Sequence, residues 1–252
     1  VILLIYYLGG NDIMIDPHGR VVMISGANRG IGLAIARNLY QAGFSLSLAS
    51  RKISALDGIV KDWSNKKILT SKFDAMDKLT HNAWVTKTLD KFGRIDCLIN
   101  NAGIVESVSV DDKEDNEEAL DRMWMVNVKT PLSLTRLTLP FLRKSGAGRI
   151  INVASLAGKA VYGSSVGYSM TKFAAVALSH ATRHSGWDDG VRCTALCPGY
   201  VATDMTSTVE SVSVDNMTSP DDLAELVRTV ISLSNTASVA ELIVNCRPDI
   251  VG

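Results

Sequence analysis

The stretch RVVMISGANRGIG, Arg20 to Gly32, decides how the rest of the chain is read. It opens as a short apolar run rich in β-branched residues, turns through three glycines, and continues as IGLAIARNLYQAG with apolar residues at helical spacing. The helical pattern stops at Gly43, a suitable C′ residue. A glycine-rich turn between strand and helix lets backbone approach a pyrophosphate, while the helix N-terminus offers unpaired N–H groups and a favourable dipole. The spacing is Gly26-x-x-x-Gly30-x-Gly32, not Gly-x-Gly-x-x-Gly. Glycines alone are a weak signal; glycines between a first strand and a first helix are a strong one.

Outward from this unit the same alternation continues. RVVMIS (20–25), SLSLAS (45–50), KILTSKF (67–73), DCLIN (96–100), RIINVAS (149–155), RCTALC (192–197) and ELIVNC (241–246) read as strands separated by amphipathic helical patterns. Apolar strands alternating with helices predict one doubly wound α/β domain, a mainly parallel seven-stranded sheet covered on both faces. No repeat or linker divides the chain after residue 20. The opening VILLIYYL has no basic flank, is too short to span a bilayer and is unlike a signal peptide. Residues 1–13 are therefore expected to be a non-native or disordered extension, and 14–252 the Rossmann-type domain.

Bulk properties exclude several partners. The 252 residues are 46% hydrophobic and 21% charged, with 26 basic and 26 acidic side chains. That balance, without a basic patch, argues against a nucleic acid or anionic membrane partner. Cys97, Cys193, Cys197 and Cys246 form no C-x-x-C pair, which suits reduced, buried thiols in a cytoplasmic protein. The acidic run DDKEDNEEALDRMWMVNV is expected to be a solvated loop leading into a helix. His180 and His184 lie four apart, but no Glu-bearing motif or nearby Cys completes a site, so no metal is expected. Trp124 and Met125 fall on the helix before Asn127 and suit core or subunit contact.

One further stretch carries chemistry. YSMTK, Tyr168 to Lys172, sets a phenol one helical turn before an amine. On its own this spacing arises often by chance. It stands, however, in an ordered series: SGANRGIG (25–32), NNAG (100–103), Asn127 in MVNV, Ser155 in NVASLAG, Tyr168 with Lys172, and PGYVATDM (198–205). In these motifs, from about Arg20 to Gly199, the chain resembles the short-chain dehydrogenase/reductase family. The resemblance implies hydride transfer between a nicotinamide cofactor and a small-molecule carbonyl or alcohol, with Asn127, Ser155, Tyr168 and Lys172 as catalytic tetrad. It implies cofactor contacts from Gly26, Asn28, Arg29, Gly30, Ile31 and Gly32 in the first loop. Further contacts are implied from Asp74 and Ala75 beside the adenine, from Asn101, Ala102 and Gly103 beside the adenosine, and from Pro198, Gly199, Val201, Thr203 and Met205 on the nicotinamide side. Tyr168 and Lys172 would also touch the nicotinamide ribose, and Asn127 would hold a water linking Lys172 to solvent.

The second strand ends in Ser50-Arg51, with no carboxylate to bind a ribose 2′-hydroxyl. Arg29 and Arg51 together would favour a 2′-phosphate, so the expected cofactor is NADP(H). In reduction, protonated Tyr168 would donate to the carbonyl oxygen while Ser155 hydrogen-bonds it; in oxidation, the phenolate favoured by Lys172 would take the alcohol proton. Asp74 also suits a cap for the following helix. Stretches 104–108, 156–162 and 200–208 would line the pocket, and their apolar content suits a neutral carbonyl compound under a short lid. By resemblance a homodimer through the helices carrying Asn127 and Tyr168 is expected; the ending ASVAELIVNCRPDIVG departs from the family's glycine-rich tail and puts a tetramer in doubt. The competing reading is a non-catalytic NADP(H)-binding sensor or scaffold, for which Tyr168 would be unnecessary.

Overall fold

VVMIS becomes strand β1, Val21–Ser25, with all five residues buried, as a central parallel strand covered on both faces requires. The other apolar runs form β2 Ser45–Ser50, β3 Ile68–Lys72, β4 Cys97–Asn100, β5 Arg149–Val153, β6 Arg192–Pro198 and β7 Glu241–Val244. Between them lie α1 Gly30–Gln41, α2 Ile53–Val60, α3 Lys78–Phe92, α4 Glu117–Trp124, α5 Thr130–Lys144, α6 Val166–Gly186 and α7 Pro220–Ser232. This computed structural model describes residues 14–113, 116–162 and 164–248; the expectation for residues 1–13 lies outside them.

The strands form one sheet in the order β3-β2-β1-β4-β5-β6-β7, parallel throughout. From β1 the chain builds outward in one direction through β3, then returns to β4 on the other side. The crevice between the C-terminal ends of β1 and β4 is thus a topological switch point, where open α/β sheets take ligands. One core packs α1, α2 and α7 on the sheet through Ile35, Leu39, Leu56 and Val227. Another packs α3 and α5 on the opposite face through Trp84, Val85, Leu134 and Leu142. β1 and β4, apolar but for Ser25 and Asn100 at their C-terminal ends, lie between the two layers.

Local chemistry sets the helix ends. Past α1, Gly43 at φ 106° lets its own N–H reach Tyr40 O and that of Phe44 reach Leu39 O, a Schellman ending. The cap of α3 corrects the expectation for Asp74: Asp77 accepts from Leu79 N at 2.9 Å and is the N-cap. Asp74 sits too far upstream, and its carboxylate instead accepts from Met76 N at 3.0 Å. Asn127 was expected within a regular helix. It occupies a π turn, Met125–Lys129, inserted between α4 and α5.

At the N-terminal end of the sheet, charges are buried together. Asp96 is fully buried; its carboxylate accepts from Val21 N at 2.9 Å and from the Arg94 fork at 2.7 and 2.8 Å, with Arg20 Nη1 at 3.8 Å. Arg149, only 3% exposed, donates to Gly148 O, Gly190 O, Leu233 O and Asn235 Oδ1. Burial first, and the Arg20 charge second, lower its pKa to about 10.

Candidate active site

β5 delivers the chain to Ser155, whose extended backbone places its hydroxyl as N-cap of a short 3-10 turn, Leu156–Gly158. Ser155 Oγ accepts from Ala157 N at 3.1 Å and lies 3.4 Å from Pro198 O, to which it donates. Ser155 also lies close enough to the Tyr168 side chain to lower its pKa. The 3-10 turn rests on α6, and Gly158 makes that contact close: a Cβ there would stand 2.6 Å from Lys172 O. Any larger residue would therefore push Ser155 away from the helix that carries Tyr168 and Lys172.

Lys172 is 6% exposed; its Nζ donates to Val153 O at 2.8 Å and sits 5.4 Å from the centre of the Tyr168 ring. Desolvation lowers the amine to about 8. Burial also pushes the Tyr168 phenol up to about 12, against the opposing influence of Ser155. In the free chain, then, burial rather than the Lys172 charge sets the phenol, which is a proton donor at neutral pH. The expectation of a favoured phenolate does not describe this state.

Asn127 faces the same opening but is tied to backbone. Its Oδ1 accepts from Ile104 N and its Nδ2 donates to Ile104 O, both at 2.9 Å, with Thr171 Oγ1 at 3.1 Å. A π turn widens the helix locally and commonly marks a site. Here it turns one carboxamide to hold the loop after β4. A Cβ at Gly103 would lie 3.3 Å from Asn127 Oδ1 and 3.7 Å from Lys172 Nζ, so this glycine sits close against both polar groups.

The glycine loop completes the crevice. Gly26 and Gly30 have φ of 66° and 54°. A Cβ on Gly32 would overlap Gly26 O and Asn101 Nδ2. Asn101 Nδ2 donates to Ser25 O and Gly26 O at 2.9 and 3.0 Å, so Asn101 straps the loop in place. Ser25, which sequence reasoning did not single out, accepts from Asn101 N and Ala102 N through its buried hydroxyl. Its only sequence signal was a polar residue closing an apolar strand. Asn28 and Ile31 line the turn, half-buried. α1 then starts at Gly30 with no side-chain cap and no acidic residue in its first turn. Such an end suits a pyrophosphate, so the residues present fit a dinucleotide.

At the end of β2, Ser50 is buried and spends its hydroxyl on Lys52 O at 2.8 Å. Arg51 is exposed, with no hydrogen bond or ion pair to the described residues. Arg29, by contrast, pairs with Asp204 Oδ2 at 3.0 Å. Ala75 is buried and its carbonyl accepts from Thr130 Oγ1 at 2.7 Å. On the far wall, Gly199 N donates to Val244 O at 2.8 Å, Val201 is buried and bridges to Thr218, and Thr203 starts a 3-10 turn, Asp204–Thr206. Met205 is half-exposed. His180 is committed to Glu241, Nε2 to Oε1 at 2.8 Å, and Glu241 also pairs with Lys159 at 2.6 Å. Among the described residues, no group of three or more His, Cys, Asp or Glu could hold a metal ion.

A parallel seven-stranded sheet with these groups at its switch point defines a Rossmann-type oxidoreductase. Residues 20–213 match the family model "short chain dehydrogenase", and the chain belongs to that family. An agropine synthesis reductase of Rhizobium rhizogenes is 43% identical over 229 residues, covering 90% of this chain and 52% of the relative. The chain thus spans about half the length of that relative. An uncharacterized oxidoreductase of Staphylococcus saprophyticus is 32% identical, covering 89% of this chain and 95% of its own, and the ketoacyl reductase HetN of Nostoc is 34% identical, covering 91% and 80%. Among solved structures, an alcohol dehydrogenase from the archaeon Thermococcus sibiricus, complexed with 5-hydroxy-NADP, superposes with TM-score 0.82 at 28% identity, covering 92% of this chain and 99% of that one. The family uses NAD(P)(H). No described helix is long and apolar enough to cross a membrane.

Proposed function

We propose that the chain reduces a small-molecule carbonyl compound, with NADPH as cofactor, Tyr168 as general acid and Ser155 and Lys172 as its partners. The observation that carries this reading is the Lys172 amine, held by Val153 O 5.4 Å from the centre of the Tyr168 ring. NADPH, when bound along the glycine loop, supplies the hydride to the carbonyl carbon. Tyr168 gives its proton to the carbonyl oxygen, while Ser155 hydrogen-bonds that oxygen and stabilises the developing alkoxide. Lys172 in its ammonium form lowers the cost of the resulting phenolate and leads a proton back to it.

A phenol protonated in the free chain suits the acid role that reduction needs, and the relatives named as reductases agree. The unpaired Arg51 at the end of β2 supports NADP(H) over NAD(H), as does the NADP analogue in the archaeal structure. Val105, Val161, Tyr162 and Met205 are half-exposed on the loops after β4, β5 and β6, an apolar rim that suits a neutral substrate. Met170 and Phe173 are likewise exposed on α6, supporting a homodimer through that helix.

The test is Tyr168→Phe. NADPH affinity, read by cofactor fluorescence, should stay within about twofold, while turnover of a ketone and aldehyde panel falls about a thousandfold. Undiminished turnover would remove Tyr168 from the chemistry. NADH binding as tight as NADPH to the unaltered chain would remove the cofactor assignment and leave the proton transfer standing.

A further inference from the structure

Two walls face each other across the mouth of the proposed cofactor groove: the glycine loop, and the segment that follows β6. They touch at two places. Thr203 packs on Gly30, where a Cβ would stand 3.3 Å from Thr203 Cγ2. Beside that contact, Arg29 Nη1 meets Asp204 Oδ2 at 3.0 Å across 175 residues of sequence. Both side chains remain mostly exposed, at 66% and 72%. Arg29 is the residue just before the first turn of α1, and Asp204 opens the 3-10 turn capped by Thr203. Arg51, the other guanidinium near the adenosine end, has no such partner.

We infer that Asp204 is a specificity-determining residue that competes with the cofactor's 2′-phosphate for Arg29. The inference rests on the NADP(H) reading above. A guanidinium engaged by a carboxylate must release it, or share its fork, before it can bind a phosphate dianion. The carboxylate also repels that dianion at close range. Competition for Arg29 does not touch a cofactor that lacks the 2′-phosphate. An exposed pair is weak, so the competitor tunes affinity instead of blocking it. The position of the pair, between the two walls, also makes release of Arg29 coincide with loosening of the segment that carries Thr203 and Met205. The phosphate-bearing cofactor would thereby open its own entrance.

The experiment is a double-mutant cycle on the full chain, with NADPH and NADH each titrated against the unaltered protein, Asp204→Asn, Arg29→Gln and the double variant. Asp204→Asn should tighten NADPH about threefold to fivefold and leave NADH unchanged. In the Arg29→Gln background the same substitution should have no effect on NADPH. Equal tightening of both cofactors, or a gain that persists without Arg29, would overturn the inference, because Asp204 would then act on general charge alone. If the unaltered chain prefers NADPH yet Asp204→Asn changes nothing, this inference fails and the cofactor reading survives. If the unaltered chain shows no preference for NADPH, both fall.

Discussion

The two ends of the sheet bury polar groups in opposite ways. At the N-terminal end, Asp96 accepts from a backbone amide and a bidentate arginine, and Arg149 finds four acceptors from three separate loops. Every strong donor and acceptor there is answered within the chain. At the C-terminal end, Lys172 makes one hydrogen bond among the described residues for a three-donor amine, α1 begins without a side-chain cap, and the exposed Arg51 has no hydrogen bond or ion pair to the described residues. One end is satisfied within the chain and the other is left incomplete. A native fold tolerates incompleteness where a ligand will supply the missing partners. The first end reads as structure and the second as site.

Arg149→Met tests that contrast most severely. Orphaning its carbonyl partners should cost about 3 kcal/mol of stability, lowering the thermal midpoint by about 6–12 °C, with cofactor affinity of the folded protein unchanged. A selective loss of affinity without loss of stability would erase the distinction. Gly32→Ala should act the other way round. Its new Cβ collides with Gly26 O and Asn101 Nδ2, so about 2 kcal/mol of overpacking falls on the loop. NADPH affinity should drop about thirtyfold by titration, with a smaller midpoint shift than the Arg149 variant. The smallest effect concerns pH. Lys172 has a lowered pKa of about 8, so it is charged below that value and loses its proton above it, whereas Tyr168 stays protonated until about 12. kcat/KM for carbonyl reduction should therefore fall about tenfold between about pH 7 and pH 9, and Lys172→Met should abolish that limb. A limb that persists in the variant would assign it to another group.

The strands were legible because central parallel strands must be apolar on both faces, and such runs stand out in VVMIS and CLIN. Tyr168 and Lys172 were legible because helical spacing fixes which residues share a face. What stayed hidden depends on contacts across the fold. Nothing local marks the π turn at Asn127, whose carboxamide answers Ile104, 23 residues earlier. Asp74 and Asp77 are both plausible caps in FDAMD, and only the helix phase chooses between them. Arg29 looked equivalent to Arg51 until Asp204, distant in sequence, was found beside it. Arg149 gave no signal at all, since its acceptors are mostly backbone carbonyls of other segments.

β7 is the last strand in sequence, and it pairs only with β6. Its final residue supplies the carbonyl that holds Gly199, and Arg247 beyond it reaches Ser211 O at 2.6 Å. The nicotinamide-side segment therefore hangs on residues made some forty positions after it. During synthesis the first six strands can assemble as they emerge, but the bracing of that wall by Val244 O and Arg247 forms only once those residues have left the ribosome. A nascent chain stopped short of β7 thus carries the glycine loop opposite a wall that still lacks the hydrogen bonds from Val244 and Arg247.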